Sequence, residues 1–139
     1  MAMSGVTLAD NVAPRMNELR LKKSQYVLLA IGDDGKQIIV KDVGERGSTY
    51  EDFVAKMSED EPVYAAFDFT YEIDGAKRDK LLLVQWIPDG VKPRSKMLYS
   101  SSRDALHPVS EGYLPIQAND KSDLEKDEVI RRIKAHRGA

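Results

Sequence analysis

The stretch from residue 62 to residue 87 limits what this chain can fold into more than any other. It reads "PVYAAFDFTYEI", then "DGAKRDK", then "LLLVQWI". The first run alternates strongly, the period-two pattern of a pleated strand. The last is apolar nearly throughout, as expected of a strand covered on both faces. The charged segment between them carries Asp74-Gly75 and supplies the turn. Two such strands form the middle of a sheet, and the rest of the chain must supply its neighbours and its covers.

The remaining elements follow from spacing. "LADNVAPRMNELRL" sets Val12, Met16 and Leu19 at helical intervals, with Asp10 or Asn11 as N-cap and Pro14 predicting a late or bent start. "SQYVLLAIGDDGKQIIVKDVG" places two β-branched-rich runs around Asp34-Gly35, a hairpin signal. "STYEDFVAKM" opens with Ser48 and Glu51 in capping-box spacing and puts Tyr50, Phe53, Val54 and Met57 on one helical face. "YLPIQA" reads as a short strand that Pro115 confines to an edge or a bulge. "KSDLEKDEVIRRIKAHRGA" reads as a final helix capped by Ser122 and Glu125, with Leu124, Val129, Ile130 and Ile133 inward.

"PRSKMLYSSSRDAL", residues 93–106, is the least ordinary segment. Pro93 suits a first helical turn, and a helix from there is expected to end near His107-Pro108. Leu98, Tyr99, Ala105 and Leu106 fall on one arc, Lys96, Ser100 and Arg103 opposite, and Arg94 and Met97 on the flanks. An outer face of cations, small hydroxyls and an adaptable thioether suits a contact surface better than solvation alone.

Composition removes several function classes. At 139 residues the chain has room for one substantial core, so a single domain over residues 1–139 is expected. No apolar run approaches the ~20 residues of a membrane span. The opening "MAMSGVTLAD" has no basic or apolar leader, so no secretory signal is expected. Without cysteine there is no disulfide, thiolate metal site or Cys nucleophile, and cytoplasm is the expected compartment. A net charge of -2 gives no global field for nucleic acid, so any electrostatic role must be local. His107 and His136 lie in separate segments without triad partners, and no phosphate loop or metal-ligand spacing is present. Trp86 reads as core, and the acids of "SEDE" as a solvated loop. A binding protein is expected, with no enzyme activity, cofactor or metal.

Taken in order, "MSGV", "YEDF", "VYAAFDFTYE", "KRDKLLLVQWIPD", "RSKMLYSSSRDAL" and "QAND" resemble the actin-depolymerising factor and cofilin family over nearly the whole chain. The resemblance implies the family's ADF-homology fold. That is an α/β domain whose central mixed sheet, largely antiparallel with a parallel inner pair, is flanked by helices on both faces. It further implies binding to actin monomers and filaments, preference for the ADP-bound form, and filament severing or depolymerisation by a monomeric cytoskeletal protein. By similarity the monomer-contacting residues are Ser4, Gly5, Arg94, Lys96, Met97, Ser102 and Arg103. The filament-contacting residues are Lys77, Arg78 and Lys80 in the strand turn with Arg131, Arg132 and Lys134 on the last helix. Ser4 is the candidate phosphorylation site, where about -1.5 to -2 charges would be added beside the cationic helix. Phosphoinositides are candidate ligands of the basic patches.

The sequence departs from the family after "SSRDAL", where "HPVSEG" replaces further basic residues and shortens the helix's basic stripe. Only Lys22 and Lys23 follow the first helix, so no dedicated nuclear import signal is expected. Two alternatives share part of this reading. One is a related module that binds actin or the actin-branching complex without depolymerising filaments; the other is a peripheral lipid-binding adaptor, for which no amphipathic anchor is visible.

Overall fold

In a computed structural model, residues 5–137 are described. Six strands form one sheet: β1 (Thr7–Leu8), β2 (Tyr26–Ile31), β3 (Gln37–Gly44), β4 (Val63–Ile73), β5 (Ala76–Trp86) and β6 (Leu114–Ala118), in the spatial order β1-β3-β2-β4-β5-β6. The long hairpin of β4 and β5 is the backbone of the sheet, paired without a register shift from Val63 opposite Trp86 to Ile73 opposite Ala76. Asp74 and Gly75 close it with positive φ at both positions, 54° and 80°, the left-handed geometry that matches the twist of the arms. The sheet is mixed, as expected, but the parallel pairing is not internal. β1 runs parallel to β3 at one edge and β5 parallel to β6 at the other, while the interior is antiparallel. The two hairpins supply the antiparallel interior, and only strands reached by long connections can lie parallel.

Four helices cover the two faces: α1 (Val12–Arg20) and α3 (Pro93–Ser102) on one, α2 (Tyr50–Ala55) and α4 (Lys126–Arg137) on the other. Alternation along β4 and β5 divides their side chains between the two cores. Phe67, Phe69, Leu82, Val84 and Trp86 pack with Phe53, Val129 and Ile133. Tyr64, Ala66 and Leu83 pack with Val12, Met16, Leu19, Tyr99 and Leu106. Trp86, 1% exposed, also donates its indole N–H to the Ser58 carbonyl at 2.6 Å.

Local chemistry shifts several expected boundaries. Pro14 sits in the first turn of α1, where its missing N–H has no helical acceptor to serve, so the helix starts at Val12 without a late start. The capping box of α2 is formed by Thr49 and Asp52, one residue after the expected pair. The second box, Asp120 with Asp123, caps a 3-10 turn (Lys121–Leu124) that precedes α4. The segment after α3 tightens into a 3-10 helix (Arg103–Val109), which turns Leu106 fully into the core. At the far end of β3, Gly44 lies against the ring of Tyr26: a Cβ there would stand 2.1 Å from that ring.

Candidate functional site

Two tyrosines seat α3 on the sheet. The Tyr99 ring packs 5.0 Å from that of Tyr64, centroid to centroid. The Tyr64 hydroxyl donates to the Tyr99 carbonyl, and the Tyr99 hydroxyl accepts the Ile31 N–H at 2.9 Å. Burial pushes both phenols above their ordinary pKa, so both stay neutral donors and acceptors throughout the physiological range. Upstream, Val91 donates to the Pro88 carbonyl and Pro93 opens the helix. These contacts fix which side of α3 faces outward.

That outward side centres on Met97, which is 74% exposed and the most exposed large apolar side chain among the described residues. Arg94, Ser100 and Arg103 are exposed around it, with Lys96 half-buried at its flank. Met97 thus occupies the centre of the face rather than the flank expected from the helical arc. Among the described residues, Arg94, Lys96 and Arg103 form no ion pair. Ser102, named with the contact residues by similarity, is 1% exposed, so its side chain is buried in the free protein.

The chain's start approaches the same side. Val6 is buried in the core beneath α3, and β1 lies against the 3-10 helix that continues α3. Gly5, exposed and with φ of 79°, leads into that strand, so it stands beside the α3 region. Ser4 lies outside the described residues. Arg20 holds the far end of the 3-10 segment by donating to the Glu111 carbonyl at 2.8 Å and lying 5.3 Å over the Tyr113 ring.

A second basic region lies on the hairpin arm and α4. Lys77, Arg78 and Lys80 belong to β5 itself, not to its turn, because only Asp74 and Gly75 lie between the paired strands. β6 begins its pairing at Leu82, so among the described residues no strand pairs with this part of β5 on that edge, where Lys80 Nζ reaches the Gly112 carbonyl at 3.4 Å. Alternation sends Arg78 and Lys80 to the α4 side and Lys77 to the other. The α4 cations differ among themselves. Arg131 donates twice to Glu128, at 2.9 and 2.7 Å. Arg132 bridges Glu128 at 3.0 Å, the Gln117 carbonyl at 2.9 Å and Asp123 at 3.5 Å, tying the helix to β6. Those two guanidiniums hold the Glu128 carboxyl down to about 2. Lys134 is exposed and has no ion pair among the described residues.

Residues 5–134 match the family of cofilin/tropomyosin-type actin-binding proteins. This chain belongs to the ADF/cofilin family. It is 37% identical over 143 aligned residues to cofilin from Saccharomyces cerevisiae, covering 100% of this chain and 99% of that one. It is 33% identical to actophorin from Acanthamoeba castellanii, over 95% of this chain and 97% of that one. Among solved structures, the ADF/cofilin of Trypanosoma brucei is 50% identical with a TM-score of 0.78, covering 98% of this chain and 99% of that chain. The cofilin of Streptomyces griseoflavus is 34% identical with a TM-score of 0.84, covering 92% and 96%.

The ADF/cofilin frame also contains a polar network that the sequence pattern did not reveal. Asp68, 1% exposed on central β4, accepts from Lys22 and Arg46, each at 2.9 Å, and Lys22 reaches Asp79 at 3.1 Å. It holds the end of α1 and the loop after β3 to the middle of the sheet. The available signal was an acid interrupting the apolar run "AAFDFT". Among the described residues, no group of three or more histidine or carboxylate side chains converges to hold a metal, and no helix is long and apolar enough to cross a membrane.

Proposed function

We propose that this protein binds actin monomers and filaments, prefers ADP-actin, and promotes filament severing and depolymerisation without covalent chemistry of its own. The observation that carries this is the exposed Met97, with Arg94, Lys96 and Arg103 near it and none of the three ion-paired among the described residues, on a segment seated by Tyr64 and Tyr99. A thioether adapts to an apolar cleft, while the surrounding cations favour an acidic rim. With Gly5 and Ser4 these residues form the monomer-contacting surface. Lys77, Arg78, Lys80, Arg131, Arg132 and Lys134 form a separate filament-contacting surface, so one molecule touches two neighbouring subunits. Binding that favours a twisted filament shifts its population and weakens its joints, since only differential affinity moves such an equilibrium.

In this reading the protein acts as a cytoplasmic monomer on the cytoskeleton, phosphoinositides compete at its basic patches, and phosphorylation of Ser4 weakens monomer binding. The test is sedimentation of ADP-actin filaments with and without the protein, followed by a count of filament fragments. Loss of sedimenting actin with more, shorter fragments is the expected result. Unchanged filament mass and length would refute the reading. A Ser4→Asp variant is expected to bind monomers more weakly than the parent; equal affinity would remove the switch.

A further inference from the structure

Lys22, just past the end of α1, has a φ of 63°, the left-handed conformation that helix ends usually give to glycine. Its N–H donates to the Leu19 carbonyl at 3.0 Å, and the N–H of Lys23 to the Glu18 carbonyl at 2.9 Å, closing the helix. A lysine held where glycine is easier points to a use for its side chain. That side chain donates to the buried Asp68 at 2.9 Å and reaches Asp79 on β5 at 3.1 Å.

Asp79 belongs to an arm that the rest of the sheet does not hold. β2 pairs with β4 no further than Phe67, and β6 meets β5 only from Leu82. Residues 69–73 and 76–81 therefore form a two-stranded ribbon with no third strand on either edge among the described residues. Such a ribbon needs packing to keep one pose. The buried Phe69 and Tyr71 supply it on the α4 side. On the α1 side stands Asp79, directly opposite Thr70, whose hydroxyl donates to it at 2.8 Å. Alternation sends its neighbours Arg78 and Lys80 to the α4 side, so fixing Asp79 fixes the direction in which those two cations face.

An ion pair whose partners are both half-exposed usually contributes little, but here Lys22 is already immobilised. Asp68, 1% exposed, requires a compensating cation and has two, Lys22 and Arg46. Two positive charges against one leave a surplus, which Asp79 balances. Lys22 loses its rotamer freedom at Asp68, so little more is lost in reaching Asp79. The hydrogen bond to Asp68 holds the Lys22 ammonium above its ordinary pKa. The Thr70 hydroxyl, and then Lys22, hold the Asp79 carboxyl below its own, so both groups stay charged at neutral pH.

We propose that Lys22 is a positioning residue for filament binding: anchored at Asp68, it holds Asp79 and so sets the arm in the pose that presents Arg78 and Lys80. This rests on the filament-contacting surface proposed above and adds to it a brace that acts through the arm, not by touching actin.

The test compares Asp79→Asn, Lys22→Met, the double variant and Arg78→Ala with the parent, by filament cosedimentation, titration of monomeric ADP-actin and amide exchange of residues 69–81. Removing a negative charge from between two cations would by itself tighten binding to an acidic surface. Asp79→Asn is expected to do the reverse. It should bind filaments about two- to fivefold more weakly, bind monomers as the parent does, and exchange the cross-strand amides of the arm faster. The double variant should bind filaments no more weakly than Lys22→Met alone, because both changes break one contact. Asp79→Asn leaves both cations of Asp68 in place, so it decides the matter even if Lys22→Met fails to fold. Filament binding by Asp79→Asn that equals or exceeds the parent's, or arm exchange that is unchanged, overturns the brace alone when Arg78→Ala binds more weakly. So do effects of Lys22→Met and Asp79→Asn that simply add, since Lys22 then acts independently of Asp79. Filament binding undiminished by Arg78→Ala overturns the filament surface with it.

Discussion

Truncating Met97 to alanine separates a contact residue from a packing residue. Full burial of a methionine side chain is worth about 1.5–3 kcal/mol. Met97 is 74% exposed in the free protein, so about three-quarters of that gain is left for a docked partner to realise. The alanine methyl retains part of it, leaving a loss of about 1–1.5 kcal/mol, or roughly five- to tenfold in affinity. The same substitution should leave stability within about 0.5 kcal/mol, because the side chain packs against little in the folded chain. Leu106, fully buried one element further on, sets the contrast: Leu106→Ala should lower stability by about 2–5 kcal/mol. The assay is titration of labelled monomeric ADP-actin, with urea unfolding followed through the emission of Trp86. Met97→Ala with unaltered affinity, or with weakened affinity and an equally weakened fold, would refute the reasoning.

Replacing Arg131 and Arg132 together by alanine should weaken filament cosedimentation more than monomer binding, and equal loss in both assays would count against the filament surface. Arg132 also ties α4 to β6, so Arg132→Ala alone should lower stability by about 1–2 kcal/mol in a urea melt, whereas Lys134→Ala should weaken filament binding with an unchanged melt. Glu128 is depressed by Arg131 and Arg132, so its contribution to stability is present in full above its ordinary value of 4.5 and is lost as pH falls through about 2. An acid titration of α-helical signal in the parent and in Glu128→Gln checks this: the variant should lack that component. Gly44→Ala should cost about 1–3 kcal/mol by forcing the buried Tyr26 ring aside; a melt matching the parent would show that the ring yields freely.

The central hairpin was legible because its period-two pattern and Asp74-Gly75 turn are local signals that the tertiary structure reinforces. Trp86 was legible as core because it stands in the mostly apolar run "LLLVQWI", and it packs in the core of the α2 and α4 face. β1 was not, since two residues, Thr7 and Leu8, carry no period and become a strand only when β3 is beside them. The parallel pairs at both edges were misplaced because pairing across a long connection leaves no local trace. Within the site, Ser102 came only from the resemblance, although at 100° per residue it falls within the arc of Leu98, Tyr99, Ala105 and Leu106, and Met97 was read at the flank. The packing of Tyr99 against Tyr64 instead sets the rotation of the helix, and the change to 3-10 geometry at Arg103 alters the period beyond it. The Arg132 bridge and the Asp68 network were hidden for another reason: a cation's partner lies far away in sequence, and a basic cluster reads the same whether its charge is free or already engaged.

The central claim is that actin meets this protein through the outer face of α3. Amide hydrogen exchange of the protein, alone and saturated with monomeric ADP-actin, tests it most directly. The account predicts that slowing on complex formation is concentrated in residues 93–103 and at the strand that follows Gly5, with the α2 and α4 face unchanged. Slowing confined to α2 and α4, with residues 93–103 exchanging as in the free protein, would contradict it.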